Sequence, residues 1–344
     1  MLFHRQGPGR GYERLIVLQR EDLGLRAIIA IHSTRRGPGF GGIRRMRYDT
    51  EGAALDDALE LAEAMSYKCA LAGLSAGGAK TVMLRPDDAA SFRSEAAYEA
   101  LGEAIAALHG AYVCGPDLGT GVEQLAAVRR RCSHVNPEGN DAGISTAAGV
   151  HAGLRAVWAA LGCSSADPRT VAIQGLGSVG HALARALVAE GIQVVGADPD
   201  DAACREAAAL GVRIVDPDAL LQEPCDVVSP CATGHGLTEA TIAGLRCRAV
   251  CGSANNQLAT PADADRLHAR GIVHAPDIVV SAGAVIEGVV TVQGGTSAAV
   301  RQQVDDAIAG IEGTVGEVLR EAGRRGVPPI AAARDLARQR LDAS

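Results

Sequence analysis

Two lysines, Lys68 and Lys80, sit in the run Met65-Ser-Tyr-Lys-Cys-Ala-Leu-Ala-Gly-Leu-Ser-Ala-Gly-Gly-Ala-Lys-Thr-Val-Met-Leu84, which carries no other charge. An ammonium packed among apolar and glycine neighbours loses hydration, so its pKa falls unless an anion compensates. That is a route to a catalytic amine. The competing reading is that each lysine snorkels from an apolar stretch to water. Gly73, Gly77 and Gly78 read as a turn between the lysines where backbone can approach a ligand, and this favours an anion site. Asp117, in Cys114-Gly-Pro-Asp-Leu-Gly-Thr120 at a predicted strand end, is a partner acid for proton transfer. Its alternative role is an Asx-turn or a helix cap.

A second constellation lies downstream. Thr170-Val-Ala-Ile-Gln174 reads as a buried strand that ends in Gly175-Leu-Gly177-Ser178-Val179-Gly180 and continues as a helix to Glu190. The next strand, Ile192 to Ala197, ends at Asp198, at the spacing a dinucleotide fingerprint requires. Gly175 would make the turn, Gly177 would let a pyrophosphate approach, and Gly180 would allow close helix–strand contact, with the helix N-terminus supplying donors. Asp198 would accept the ribose hydroxyls and repel a 2′-phosphate, which favours NAD over NADP. A nicotinamide cofactor exchanges a hydride, so the rest of the chain must hold a carbon bearing a transferable hydrogen and manage its proton.

The elements that position these groups form an α/β pattern in two domains. In the first, Leu25 to His32, Thr81 to Leu84 and Ala111 to Cys114 read as strands, and Ala53 to Met65 and Phe92 to Leu108 as helices. Pro137 to Gly143, rich in turn formers, reads as the boundary. A helix from Ala147 to Leu161 then leads into a doubly wound sheet, with further strands at Val212–Val215, Cys225–Ser229, Arg248–Cys251 and Ile278–Val280. Val304 to Leu319 and Ile330 to Leu341 read as amphipathic helices around Gly326-Val-Pro-Pro329. The expected division is residues 1–138 for substrate and assembly, 145–320 for the Rossmann domain, and 321–344 for a helix returning to the first domain.

With 344 residues, 47% of them hydrophobic, and 42 glycines, the chain has material for two cores and many tight turns. A net charge of -7 argues against general attraction to nucleic acid or anionic membrane. Nine cysteines with no C-x-x-C pair and no zinc spacing read as reduced thiols, with no metal site. The first nine residues lack the apolar core of a leader, and no apolar run reads as membrane-spanning. A cytoplasmic protein is expected.

The motifs Gly37-Pro-Gly-Phe-Gly-Gly-Ile-Arg44, Tyr67-Lys68, Gly77-Gly-Ala-Lys80, Pro116-Asp117, Gly175 to Gly180, Pro230-Cys-Ala232 and Gly252-Ser-Ala-Asn-Asn-Gln257 resemble, in order and over nearly the whole chain, the amino-acid dehydrogenases. The leucine, valine and phenylalanine enzymes are the nearest branch. The resemblance implies NAD-dependent, reversible deamination of an L-amino acid to a 2-oxo acid and ammonia, in a cleft between domains that the C-terminal helices cover. It assigns the substrate carboxylate to Lys68 and the Gly41-Gly42 backbone, carbonyl polarisation and water activation to Lys80, and proton shuttling at nitrogen to Asp117. It further assigns the amino group to the Pro116 carbonyl, the side-chain pocket to Phe40 and Gly115, and cofactor contacts to Thr146, Ala232, Ala254 and Asn255. Thr146 as a helix cap and Asn255-Asn256 as a plain turn are the competing readings. A homo-oligomer, dimer or octamer, is implied as well.

The chain departs from that family in Pro276-Asp-Ile-Val-Val-Ser281-Ala-Gly283-Ala284-Val-Ile-Glu287, where the relatives carry Asn-Ala-Gly-Gly and a later asparagine. Ser281 keeps a hydroxyl but loses an amide's reach. Ala284 adds a methyl and Glu287 an acid where substrate headgroup and nicotinamide would meet. Phe40 would shrink the pocket and Gly115 enlarge it. The expected activity is deamination of an apolar amino acid. The alternatives are a specialised amine or oxo acid as substrate, or an NAD-binding protein with reduced turnover.

Overall fold

Near-continuous runs of buried residues build the inner strands of the first sheet. The computed structural model describes residues 11–85, 92–164 and 167–343, so the N-terminal nine residues read above as lacking a leader lie outside the described residues. The chain divides into two compact units: one runs up to Gly139 and adds Gly288–Val300 and the residues from Arg338 on, and the other holds Asn140–Glu287 and Arg301–Ala337.

In the first unit, β1 (Arg14–Arg20), β2 (Leu25–Ser33), β3 (Gly39–Met46), β4 (Gly77–Leu84) and β5 (Tyr112–Gly115) make a sheet in the order β1-β2-β4-β3-β5. The pairs β1/β2 and β2/β4 are antiparallel, whereas β4/β3 and β3/β5 are parallel. Along β2, Ile28 and Ala30 join one core with α1 (Glu51–Leu71), and Ile29 and Ile31 join the other with α2 (Ser94–Ala106) and α3 (Val122–Arg129). Both faces are covered, which is why β2 reads as a continuous apolar run. Thr50 caps α1 by accepting from the Ala53 amide, and the helix runs to Leu71, past the Met65 end expected from its spacing.

The glycines between the lysines require a correction. Only Gly73, at φ +70°, lies in the turn, while Gly77 and Gly78 are the first residues of β4. A side chain at Gly78 would lie 2.1 Å from the Ser66 amide nitrogen, so this glycine lets α1 settle onto β4 rather than admitting a ligand.

The second unit opens with α4 (Ala142–Ala160), followed by β6 (Thr170–Gln174), α5 (Ser178–Ala189), β7 (Gln193–Ala197), α6 (Asp201–Ala209), β8 (Arg213–Ile214), β9 (Val227–Pro230), α7 (Glu239–Gly244), β10 (Ala249–Val250), α8 (Ala262–Ala269) and β11 (Val273–His274). The strands are parallel in the order β11-β10-β9-β6-β7-β8, the doubly wound arrangement whose direction reverses between β6 and β9.

After the sheet come α9 (Asp277–Val280), α10 (Gly283–Gly294), α11 (Ala298–Ala309), α12 (Ile311–Arg325) and α13 (Pro329–Asp342). Ile278–Val280 is therefore helical, not the strand its β-branched residues suggest. Val280 enters a groove on α4 left by Gly149 and Gly153, where a side chain would meet its carbonyl oxygen at 2.7 Å and its Cγ1 at 2.5 Å. Burial in that groove outweighs local propensity. The sheet takes β11 instead. The stretch read as one helix from Val304 to Leu319 is divided at Gly310 between α11 and α12.

Residues Asp277–Gly294 are, contrary to the sequence expectation, long and apolar enough to cross a bilayer, with a mean hydropathy of 1.4, but 72% of that window is buried within the protein. The stretch also breaks at Ser281 between α9 and α10, which marks it as core rather than lipid-facing.

Candidate active site

Lys80 stands on the α1 face of β4 and is only 6% exposed; Lys68, in the last turn of α1, is 7% exposed. Neither snorkels to water. The Lys80 ammonium lies 2.7 Å from Asp117 Oδ2. Asp117 follows β5 in a tight turn closed by backbone bonds between Asp117 and Thr120, with Gly119 at φ +73° and the Leu118 carbonyl bound by the Arg45 amide. The turn thus closes through backbone, and the carboxylate faces cations.

Sequence reading assigned no role to three further members of this cluster. Arg44, on β3, donates through Nε to Asp117 Oδ2 at 2.9 Å and through a terminal nitrogen to both oxygens of Asp57 on α1 at 3.2 Å. The Tyr48 hydroxyl donates to Asp57 in turn. An arginine inside a central strand with both faces covered is itself a signal, as an unneutralised charge there would be prohibitively costly.

Burial lowers the Lys80 pKa from its ordinary 10.5; Asp117 opposes this without prevailing, and Arg44 adds to it. For Asp117, burial alone would raise the pKa, but the Lys80 and Arg44 cations outweigh it and hold the carboxyl well below 3.8. Burial works against the Arg44 charge too, yet Asp117 and Asp57 keep its pKa above the ordinary arginine value. The resting arrangement is an ionised carboxylate against an amine whose proton is loosened. Such a pair sets an amine that gives up and regains its proton more readily than a free lysine beside a fixed carboxylate.

Glycines let this cluster close. A side chain at Gly42 would fall 2.5 Å from the Pro116 carbonyl oxygen and 2.8 Å from Asp117 Cβ, and one at Gly41 would fall 1.7 Å from the Ala79 carbonyl oxygen. Gly41, Gly42, Pro116, Asp117 and Lys80 are thereby brought together. Phe40 and Gly115 belong to a neighbouring patch on the same face, with Asn136 and Gly288. A side chain at Gly288 would meet Phe40 Cζ at 2.6 Å and Asn136 Oδ1 at 3.1 Å, and one at Gly115 would meet Asn136 Cβ at 3.5 Å. No local pattern in the sequence marks Asn136 or Gly288. The turn of α1 that bears Lys68 is tied to the C-terminal segment: Arg338 donates to the Tyr67 hydroxyl at 3.2 Å, and Arg340 donates to the Leu71 carbonyl at 2.7 Å.

In the second unit the predicted cofactor residues other than Thr146 gather at the carboxyl ends of β6, β7, β9 and β10. Gly175 has φ +93°, and a side chain there would lie 2.9 Å from the Ala232 nitrogen, so the loops after β6 and β9 touch at the topological switch. Gly177 and Ser178 are exposed, Val179 is half-buried, and space for a side chain at Gly177 is open. A side chain at Gly180 would sit 1.9 Å from the Gly175 carbonyl oxygen, so glycine is required where α5 crosses the turn. Asp198 ends β7 with its two oxygens accepting the Leu176 and Asp200 amides at 2.7 and 2.9 Å, which fixes the carboxylate and leaves lone pairs for ribose hydroxyls. Ala254 is buried, its amide bound to the Pro230 carbonyl at 2.9 Å, while Asn255 is exposed in a turn with Asn256 at φ +51°. This cradle of open backbone, helix N-terminus and terminal acid fits NAD.

Thr146 does not cap its helix. Asp141 is the N-cap of α4, accepting from the Ile144 amide at 3.0 Å, and Thr146 is buried in the second turn. The start of α10 packs on it, since a side chain at Gly283 would lie 2.9 Å from Thr146 Cα. Ser281 is buried and donates its hydroxyl to the Asp277 carbonyl at 2.6 Å. Ser281 and Thr146 thus belong to the second unit and the Lys80 cluster to the first.

Comparison with known proteins agrees with both halves. Residues 14–134 match the model of the Glu/Leu/Phe/Val dehydrogenase dimerisation domain, and residues 205–344 match that of the Glutamate/Leucine/Phenylalanine/Valine dehydrogenases. Residues 149–248 match the NAD binding domain of D-isomer specific 2-hydroxyacid dehydrogenases. The chain is 38% identical to leucine dehydrogenase of Bacillus subtilis over 340 residues, covering 96% of this chain and 92% of that one. It is 40% identical to valine dehydrogenase of Streptomyces albus over 352 residues, covering 99% and 94%. Among solved structures, L-tryptophan dehydrogenase from Nostoc punctiforme superposes with a TM-score of 0.84 at 30% identity, covering 97% of each chain. With a cradle fitted to NAD in one unit and a buried amine–carboxylate pair in the other, the chain belongs to the glutamate/leucine/phenylalanine/valine dehydrogenase family and is an NAD-dependent amino-acid dehydrogenase.

Proposed function

We propose that the chain catalyses the reversible oxidative deamination of an apolar L-amino acid to its 2-oxo acid and ammonia. The observation that carries this reading is the contact between Lys80 Nζ and Asp117 Oδ2, 2.7 Å apart and screened from water. Bound NAD would supply the hydride acceptor for Cα. Lys68 and the Gly41-Gly42 backbone would hold the substrate carboxylate, and the Pro116 carbonyl would accept from the substrate ammonium. Asp117, ionised at rest, would take a proton from nitrogen as the imine forms. Lys80 in its neutral form would take a proton from the attacking water and then return it as ammonia leaves. Phe40, Gly115, Asn136 and Gly288 would line the side-chain pocket.

A second reading, a specialised amine or oxo acid as substrate, draws on the inward-turned Ser281 hydroxyl and on the buried Glu287. On either reading we place the chain in the cytoplasm as a homo-oligomer, a dimer or an octamer, built on the first unit.

NADH production on amino-acid addition at alkaline pH, across a panel of amino acids and against Lys80→Ala, tests the first reading. Turnover of apolar amino acids abolished by Lys80→Ala supports it; undiminished turnover in that variant would sink it. Reductive amination of ketones or aldehydes in preference to oxo acids would favour the second.

A further inference from the structure

The Lys80–Asp117 pair does not stand alone. Four charges converge on the α1 face of the sheet, Lys80 from β4, Arg44 from β3, Asp117 from the turn after β5 and Asp57 from α1. The Tyr48 hydroxyl reaches them from the connection between β3 and α1, and the Tyr112 phenol of β5 lies near Asp117. We propose that Arg44 is a positioning residue, clamped between Asp57 and Asp117, that pins the Asp117 carboxylate against Lys80 and balances the charge of the pair. The inference rests on the assignment of Lys80 and Asp117 as the proton carriers.

Three observations support it. First, Asp117 Oδ2 receives two cationic donors, Lys80 at 2.7 Å and Arg44 at 2.9 Å, so the carboxylate has two anchors rather than one. Second, the guanidinium is a rigid fork that spans two carboxylates at once, with Nε on Asp117 and a terminal nitrogen on Asp57; a lysine ammonium is a point charge and cannot reproduce this. Third, the group is nearly dry, with the Arg44 side chain 12% exposed. Burying four charges gains little stability over an apolar cluster of equal volume, so the arrangement is better explained by orientation than by stability. Asp57, held by Tyr48, fixes the far end of the fork.

The charges make a signed prediction. Arg44 disfavours the Lys80 proton and Asp57 favours it. Activity that requires the neutral amine appears as pH rises through the Lys80 pKa, so removing Arg44 should move the acid limb of the kcat profile up, and removing Asp57 should move it down.

The test compares kcat against pH for the full chain with NAD and its best amino acid, for the native sequence and for Arg44→Met, Arg44→Lys, Asp57→Asn and Tyr48→Phe. The expected result is an acid limb raised by roughly half to one pH unit in Arg44→Met and lowered by a similar amount in Asp57→Asn. Arg44→Lys should restore the limb but not kcat, because it returns the charge without the fork. Tyr48→Phe should lower kcat with the limb in place. Limbs that stay put, or that move the same way in Arg44→Met and Asp57→Asn, overturn the proposal, since a purely structural role would cut activity without opposed shifts. Should Arg44→Met fail to fold, as judged by circular dichroism and NAD binding, Asp57→Asn decides alone: a lowered limb supports the proposal and an unmoved one overturns it. Lys80→Ala separates the two levels. A fully active Lys80→Ala defeats the assignment of the proton carriers, whereas an inactive one with unshifted limbs defeats only the role of Arg44.

Discussion

The Glu287 carboxylate, 3% exposed, accepts a hydrogen bond from the Ser145 hydroxyl at 2.8 Å and pairs with Arg301 at 2.8 Å. This acid is therefore built into α10 with partners on α4 and α11. The pair is unequal. The Arg301 side chain is 46% exposed and also meets Asp305, whereas that of Glu287 is 4% exposed. Arg301→Ala should therefore cost more stability than Glu287→Gln, by about 1 kcal/mol, because only the first takes a cationic donor from a buried carboxylate. Urea unfolding of the two variants checks the order.

Gly42 and Gly73 should respond oppositely to alanine. At Gly42 the added methyl would press on the Pro116 carbonyl and Asp117 Cβ, at 2.5 and 2.8 Å. Displacing the acid from Lys80 should lower kcat on the order of a hundredfold. Gly73 has φ +70° with open space around it, so its alanine variant should lose about 1 kcal/mol of stability and keep its activity. Steady-state kinetics beside thermal melting separates the two outcomes.

The C-terminal arginines hold the turn that carries Lys68. Arg340→Ala removes the donor to the Leu71 carbonyl, 2.7 Å away, while Arg36 still reaches the residue-340 carbonyl at 3.0 Å. A several-fold rise in KM for the amino acid, with NAD affinity unchanged and about 1 kcal/mol of stability lost, is expected. Substrate and cofactor titrations on one preparation test it.

Asp117 should make folding acid-sensitive. Its pKa is lower in the folded chain than the ordinary 3.8, so the unfolded chain takes up the proton first as pH falls. The stabilisation is complete above 3.8 and is lost as pH drops below it toward the folded value. Relative to Asp117→Asn, the native chain should therefore lose its advantage across that acid window and nowhere above it. Denaturant unfolding at stepped pH measures the gap; an advantage that stays constant down to strong acid would contradict the assignment.

The Rossmann half was legible because its requirements are local. A tight turn needs Gly175, helix–strand contact needs Gly180, and Asp198 must end the next strand, all within one strand–helix–strand unit. The strand assigned to Ile278–Val280 failed for the opposite reason: its conformation was decided by two glycines on α4, far away in sequence. Asn136 and Gly288 went unseen because each is informative only beside Phe40.

Sequence alone singled out two lysines in an otherwise uncharged run, against the alternative that they snorkel to water, and determined that a dinucleotide turn would follow β6 and that the chain would group with the amino-acid dehydrogenases. Those conclusions depend on residue type and spacing, and solvation and backbone conformation respond to these directly. Only tertiary structure decided that Asp117 faces Lys80 rather than capping a turn, that Arg44 and Asp57 complete a neutral four-charge cluster, and that Gly78 serves a helix–strand contact and Gly77 a close approach to Ser33 of β2 rather than a turn. Pairwise electrostatics falls off over a few ångströms, and residues 44, 57, 80 and 117 come within that range only when three strands and a helix have been laid side by side.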